Sequence, residues 1–313
     1  MYICDNHLKA ERKDNMAKLF GQTEHRILSL FQNGAVFLYN GQQFEVIMAG
    51  KPTCYAGEPK TDIYVLAQNN LMQRIEIKIS FKQANAEFLE NKISADRAEQ
   101  LLGDDWQYII STSTRNIAPN FECRNLIFHQ QYGRTQAGSI TLGWKFEFVN
   151  VINGELSGRL NLSFDQLLDV YSGSNLSAEK RNASVNGRII RDSGVANCVL
   201  FDNYSLNSAQ DVIDALISVE EYVQRNPNIY YACKALNYRS LDDKFDGNRP
   251  LAVWVHWFER DGRLAYEIQF NEPLITGGNH AAACLKQALR RLGVRSALDL
   301  GRNNVEDPSI IYY

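Results

Sequence analysis

The segment Ile75-Glu76-Ile77-Lys78-Ile79-Ser80 constrains this chain more than any other stretch. Apolar and polar residues alternate strictly along it, which is the period of a strand with one buried face. The three isoleucines then point into a core. Glu76, Lys78 and Ser80 project from the opposite face, with Glu76 and Lys78 roughly 7 Å apart along the strand. A strand of this kind needs a neighbour, and the run Asp62 to Ala67 supplies one, joined to it by a turn around Asn69-Asn70. Antiparallel pairing of the two is expected to set Asp62, which opens the first strand, beside Glu76. Two carboxylates and a lysine would then converge on one patch.

The flanking sequence reads as a compact α/β unit. Leu19, Phe20, Ile27, Leu28 and Phe31 fall at helical spacing between Met16 and Phe31, and Asn33-Gly34 supplies the stop. Two apolar-rich runs about Asn40-Gly41 predict a hairpin with a type I′ turn. Ser94 and Gly103 bracket a helix, and the run from Trp106 to Thr112 reads as a further strand. Beyond it, strands are expected at Leu126 to His129 and Ser139 to Val151, and residues 157–210, rich in Gly, Ser and Asn, hold short apolar runs near Arg188 to Ile190 and Cys198 to Phe201. One amphipathic helix is expected over Asp211 to Gln224 and another over His280 to Leu292, with a hairpin turning at Asp261-Gly262. The expected fold class is α/β, of the α+β kind, with a mixed central sheet flanked by helices. A soft boundary near residue 117 divides it into a domain over 14–116 and a larger mixed α/β region over 117–313.

Composition excludes several classes. A chain of 313 residues, 45% hydrophobic and 22% charged, has the make-up of an ordinary folded protein and buries about three quarters of its surface without staples. Its net charge of −3 gives no global sign of a nucleic-acid or anionic-membrane partner. The six cysteines are scattered with no zinc-ligand spacing, which suits reduced thiols in a cytosol. The polar start, MYICDNHLKAERK, lacks the apolar stretch of a signal peptide, and the longest apolar run, near Leu251 to Phe258, is too short to span a bilayer. A cytoplasmic location with no membrane partner is therefore expected. No GxSxG, Walker A, GxGxxG or CxxC motif occurs, so no nucleotide cofactor is expected.

The chemistry is carried by Pro59-x-x-Asp62 followed, after thirteen intervening residues, by Glu76-x-Lys78. Mg²⁺ is a hard ion held by one or two carboxylates together with water and phosphate oxygens. A lysine beside it can position water and offset charge in the transition state of phosphodiester hydrolysis. The string alone is common: it recurs at Glu11, Glu90 and Asp242. Only at Glu76 does it lie mid-strand, between isoleucines and after a strand opened by aspartate. The competing reading of Asp62, Glu76 and Lys78 is a solvated strand face with a cross-strand salt bridge.

This pattern resembles the PD-(D/E)xK nuclease superfamily, whose core runs helix, three strands, helix, strand. Within it, Gly57 to Asp62 with Ile75 to Ser80 looks like type II restriction endonucleases. The resemblance covers about a third of the chain, and the motif proline stands three residues before Asp62 instead of adjacent to it. It implies Mg²⁺-dependent, site-specific hydrolysis of double-stranded DNA by a homodimer, with Asp62 and Glu76 as metal ligands and Lys78 orienting water. It also implies a helix glutamate reaching the metal, for which Glu24 is the candidate. The nearest alternatives are a nuclease of the same superfamily serving repair, recombination or transposition, and a non-catalytic DNA-binding or interaction protein.

Residues 1–116 hold eight Lys and five Arg, whereas 117–313 hold five Lys and fifteen Arg. Arginine's planar fork suits guanine edges and phosphates, so the second part is expected to recognise DNA and dimerise. Candidate DNA contacts are Lys60, Lys82, Gln83, Asn186, Arg188, Arg191, Arg290 and Arg291.

Overall fold

The computed structural model describes residues 21–82, 88–90, 93–201 and 206–313. Leu19, Phe20 and Gln83 lie outside the described residues. The chain is a mixed α/β protein that forms two compact units, each assembled from two separated segments. Met1–Ala86 joins Ser163–Pro227 in the first, and Glu87–Leu162 joins Asn228–Tyr313 in the second. These interleaved units replace the single boundary expected near residue 117.

In chain order the first unit opens with helix α1 (21–29) and strands β1 (Val36–Tyr39), β2 (Gln42–Gly50), β3 (Ile63–Asn69) and β4 (Arg74–Lys82). The second unit begins with β5 (Phe88–Glu90), α2 (Ala95–Leu102), α3 (Trp106–Arg115), α4 (Ala118–Glu122), β6 (Ile127–Phe128), β7 (Ser139–Val149) and β8 (Ser157–Leu160). The first resumes with α5 (Phe164–Ser172), α6 (Ala178–Arg181), β9 (Ser184–Val185), β10 (Arg188–Ile189) and β11 (Cys198–Phe201). It closes with α7 (Ala209–Ala215), β12 (Ile217–Ser218) and α8 (Val219–Arg225). The second unit is completed by β13 (Ile229–Arg239), β14 (Lys244–Phe245), β15 (Val253–Arg260), β16 (Arg263–Gln269), α9 (Gly278–Arg291) and β17 (Ile311–Tyr312).

The first unit's sheet has the order β1-β2-β3-β4-β11-β12. Its pairs are antiparallel except β4 with β11, which run parallel, Ile79 beside Cys198 and Lys82 beside Phe201. The turn residues Asn40 and Gly41 both take positive φ, 50° and 74°, as the type I′ hairpin requires. Alternation sends Ile63, Val65 and Ala67 of β3 and Ile77, Ile79 and Phe81 of β4 to one face. There they pack with Ile27 of α1, Phe31 just past its end, and Val212 and Ile213 of α7. The second unit's curved sheet has the order β14-β13-β7-β15-β16, with β5, β6, β8 and β17 added at its margins. The indole of Trp257 is buried there and donates to the Thr141 carbonyl at 2.8 Å.

Two local expectations change. The run from Trp106 is helix α3, not a strand. Trp106, Ile110 and Thr114 are its buried residues, four apart along one helical face. The Thr114 hydroxyl donates back to the Ile110 carbonyl at 3.0 Å, which removes the polar penalty of burying it. The predicted helix over Asp211 to Gln224 is two helices, α7 and α8. Between them Ile217 pairs with Val199 of β11, and Ser218 restarts the helix by accepting the Glu221 N–H at 3.1 Å.

Phe31, in the turn that follows α1, supports the first unit's core, 1% exposed and edge-on to Phe37 at 6.3 Å. Phe31→Ala is expected to lower stability by about 3–5 kcal/mol. An unchanged denaturation midpoint in urea would show that Phe31 does not support this core.

Candidate functional site

Helix α1 carries Glu24 on the same face as the buried Ile27, three residues on, so the carboxylate is drawn under the helix and left 4% exposed. Lys51 follows directly on β2 and meets it: Nζ lies 2.5 Å from Glu24 Oε2. Burial disfavours the Lys51 ammonium. The bond to Glu24, with the charges of Glu24, Asp62 and Glu58, outweighs that and holds its pKa above the ordinary value.

Asp62 stands immediately before β3, at the end of a loop pinned from a distant part of the chain. Thr53 and Ser184 exchange both backbone hydrogen bonds at 2.9 Å, and the N–H groups of Lys60 and Thr61 both donate to the Gly194 carbonyl. Gly194 has no room for a side chain, because a Cβ would fall 1.9 Å from the Lys180 carbonyl oxygen. The Asp62 N–H then donates to the Ile79 carbonyl at 2.8 Å, and Asp62 Oδ2 accepts the Phe81 N–H at 2.7 Å. Burial pushes the Asp62 carboxyl up to about 6. The Glu24 charge adds to this, while Lys82, the Phe81 N–H and Lys51 oppose it. Ser80, between those two backbone partners, and Thr61 each have a buried hydroxyl oxygen with no hydrogen-bond partner.

Glu76 and Lys78 do not join this cluster. The register sets Ile63 opposite Ile79, Tyr64 opposite Lys78 and Leu66 opposite Glu76. Glu76 therefore lies four residues along the ladder from Asp62, about 13 Å away at strand rise. The cause is the turn. It spans Asn69 to Gln73, with the Asn69 side chain accepting the N–H groups of Leu71 and Gln73 and Met72 at φ 62°. Its centre is at Leu71, whereas pairing Asp62 with Glu76 needs a turn centred on Asn69, and moving a turn's centre by two residues moves every cross-strand partner by four. Glu76 instead accepts the Tyr64 hydroxyl at 2.7 Å and lies 4.0 Å from Lys78 Nζ. That lysine donates to the Asp192 carbonyl at 3.1 Å. Asn197, just before β11, extends the pairing with its side chain, accepting the Lys78 N–H and donating to the Glu76 carbonyl.

Of the candidate DNA contacts, Lys82 closes β4 and exerts the strongest attraction on Asp62, and Lys60 is half-buried in the pinned loop. Asn186 is structural: at φ 50° it turns the β9–β10 hairpin and its amide donates to the Ala49 carbonyl at 2.9 Å. Arg188 is exposed on that hairpin, and the exposed Arg191 lies 3.5 Å from Asp192. Arg290 and Arg291 belong to the second unit, exposed on the last turn of α9. Lys51 escaped sequence reading because nothing local marks it; its importance comes only from α1 packing over the end of β2.

Among the described residues, no group of three or more His, Cys, Asp and Glu side chains is arranged to hold a metal. The donor set here is the Glu24–Asp62 pair, which suits an ion content with one or two carboxylates and completed by water and phosphate. Burial, with the Glu24 charge adding to it, disfavours the Asp62 carboxylate, and a cation held by the pair would relieve that.

Because the folded carboxyl of Asp62 titrates near 6 and an unfolded one near 3.8, the folded state binds more protons between those values. Its contribution to stability therefore falls as pH rises through that window. In metal-free buffer, Asp62→Asn is expected to raise the thermal midpoint at pH 7.5, and the gain should vanish by pH 4. A gain independent of pH, or a loss at pH 7.5, would contradict the burial of this charge.

No family model, curated protein or solved structure matches the chain.

Proposed function

We propose that this chain is a Mg²⁺-dependent nuclease that hydrolyses phosphodiester bonds of double-stranded DNA at specific sites, in the manner of a type II restriction endonuclease. The observation that carries the reading is the raised Asp62 carboxyl beside the buried Glu24, with Lys51 and Lys82 as flanking cations. The element order supports it. A helix and the strands β2, β3 and β4 are followed, after the inserted segment Glu87–Leu162, by helix α5 and by β11 lying parallel to β4. The core is thus completed by residues 164–201 and not by the segment from Ser94 to Thr112.

Asp62 and Glu24 would hold the ion, and the unpartnered hydroxyls of Thr61 and Ser80 beside Asp62 fit a site that gains polar partners when loaded. Bound there, Mg²⁺ would polarise a phosphoryl oxygen and acidify a water molecule. Glu24 would then share its charge with the ion and loosen its hold on Lys51, leaving that ammonium to meet a phosphate. Lys82 takes the part first expected of Lys78, offsetting negative charge in the transition state. Action as a homodimer suits a palindromic target, because two-fold protein symmetry mirrors two-fold DNA symmetry.

Digestion of plasmid DNA with Mg²⁺ tests the reading and separates the two residue sets. Asp62→Ala and Lys82→Ala are each expected to lower cleavage by about 10²-fold or more, and Glu24→Gln by about tenfold. Glu76→Gln and Lys78→Ala should stay within a few-fold of the parent chain. Discrete bands are expected from site-specific cutting. Absence of metal-dependent cleavage on diverse DNA, or full activity in Asp62→Ala, would overturn the proposal.

A further inference from the structure

The second unit buries a carboxylate without bonding it. Lys145 and Glu147 share one face of β7, and Lys234 of β13 stands directly opposite Lys145. Glu147 is 6% exposed. Its Oε1 lies 3.8 Å from Lys145 Nζ and its Oε2 3.8 Å from Lys234 Nζ. Both separations exceed a hydrogen bond, and no donor reaches Oε2. Burial raises the Glu147 pKa, and the two lysines oppose that rise. A charged group buried without hydrogen bonds is unfavourable unless something supplies them.

Glu147 borders a cavity of about 400 Å³, the size class of small-ligand sites. Its other walls include Ile93, Ser94, Lys145, Arg249 and Pro250. Ile93 and Pro250 are apolar surfaces suited to a flat ring. Arg249 is exposed and Lys145 half-buried, so the cavity offers cations to an anionic group. Ser94 spends its oxygen on capping α2, accepting the Arg97 N–H at 3.2 Å, and its hydroxyl proton can still be donated.

We propose that this cavity is a site for a guanine base carrying a phosphate. The deciding feature is the order of donors and acceptors. A carboxylate accepts two parallel N–H groups, and a neighbouring lysine donates to a carbonyl. The Watson–Crick edge of guanine presents N1–H and N2–H side by side, with O6 next to them, so Glu147 and Lys145 complement all three. Adenine and cytosine each place a ring acceptor where Glu147 needs a donor. Uracil and thymine have a single N–H between two carbonyls. Arg249 is placed to take the phosphate. The ligand can be a free guanine nucleotide or a guanine turned out of a nucleic acid, and the chemistry of the site is the same for both. The proposal does not depend on the nuclease reading.

Calorimetric titration of the full chain in EDTA, where metal-dependent cleavage cannot occur, tests it with GMP, AMP and CMP. A second arm uses duplexes with a guanine or an adenine opposite an abasic site. GMP is expected to bind about tenfold or more tightly than AMP and CMP, the discrimination a bidentate base contact gives. A preference in the duplex arm alone would assign the site to an extruded base. Glu147→Gln is expected to abolish the guanine preference, because an amide nitrogen then faces a guanine N–H. Arg249→Ala, at an exposed position, should weaken GMP several-fold and leave the melting temperature unchanged, so the test survives if Glu147→Gln fails to fold. Equal binding of guanine and adenine ligands in both arms, or a preference unaltered by Glu147→Gln and Arg249→Ala, would overturn the proposal.

Discussion

The bond from the Phe81 N–H to the Asp62 carboxylate ties the first unit's site to its sheet. At the start of β3 a side-chain oxygen takes the place of a backbone carbonyl, so the carboxylate is part of the ladder and not a pendant group. This fixes its position and also withdraws it from water, which is why its pKa rises instead of falling as it would beside a single lysine. Glu24, Lys51 and Lys82 are arranged around a charge that cannot move away. A loop carboxylate with free torsions would relax toward solvent, and the cluster would have no reason to form.

That arrangement depends on chain segments far apart in sequence. The loop ending at Asp62 is held through Thr53 by Ser184 and through Lys60 and Thr61 by Gly194. Asn197 then secures β4 at Glu76 and Lys78. All of these holding residues arrive only after the chain has crossed into the second unit and back. Ordering the site therefore requires closing a long loop before its contacts are gained, an entropic burden that grows only slowly with loop length. An inserted unit of this size is compatible with a rigid site for that reason.

Much of this was legible from residue patterns. The turns at Asn40-Gly41 and Asp261-Gly262, the strands β3 and β4, and helix α2 with Ser94 as its cap follow from local rules and occur as expected. Register was not legible. Alternation assigns Glu76, Lys78 and Asp62 to a face, but a slip by an even number of residues preserves the face and changes the partner. The longer turn, stabilised by the Asn69 side chain, supplies that slip and exchanges Glu76 for Ser80 at the Asp62 end of the ladder. Helix α3 was missed for a related reason. Trp106, Ile110 and Thr114 carry β-branched and aromatic side chains whose local preference is for strands, and burial of one helical face overrides it. The membership of β11 in the first unit depends on a parallel pairing that no local signal encodes.

Asp62 and Glu147 are both carboxyls whose pKa is raised, and burial is the leading cause for both. Their surroundings differ in a way that bears on what each can do. Asp62 accepts a backbone N–H and has Lys82 and Lys51 near it, but burial and then the second acid outweigh them, so its charge stays undercompensated. Glu147 has two lysines within 4 Å and no hydrogen bond to Oε2, so what it lacks is a directional donor. A carboxylate short of charge calls for a cation, and one short of donors calls for N–H groups of a planar ligand. The chain's net charge of −3 is silent on both, because each deficit is local and is set by geometry that composition does not record.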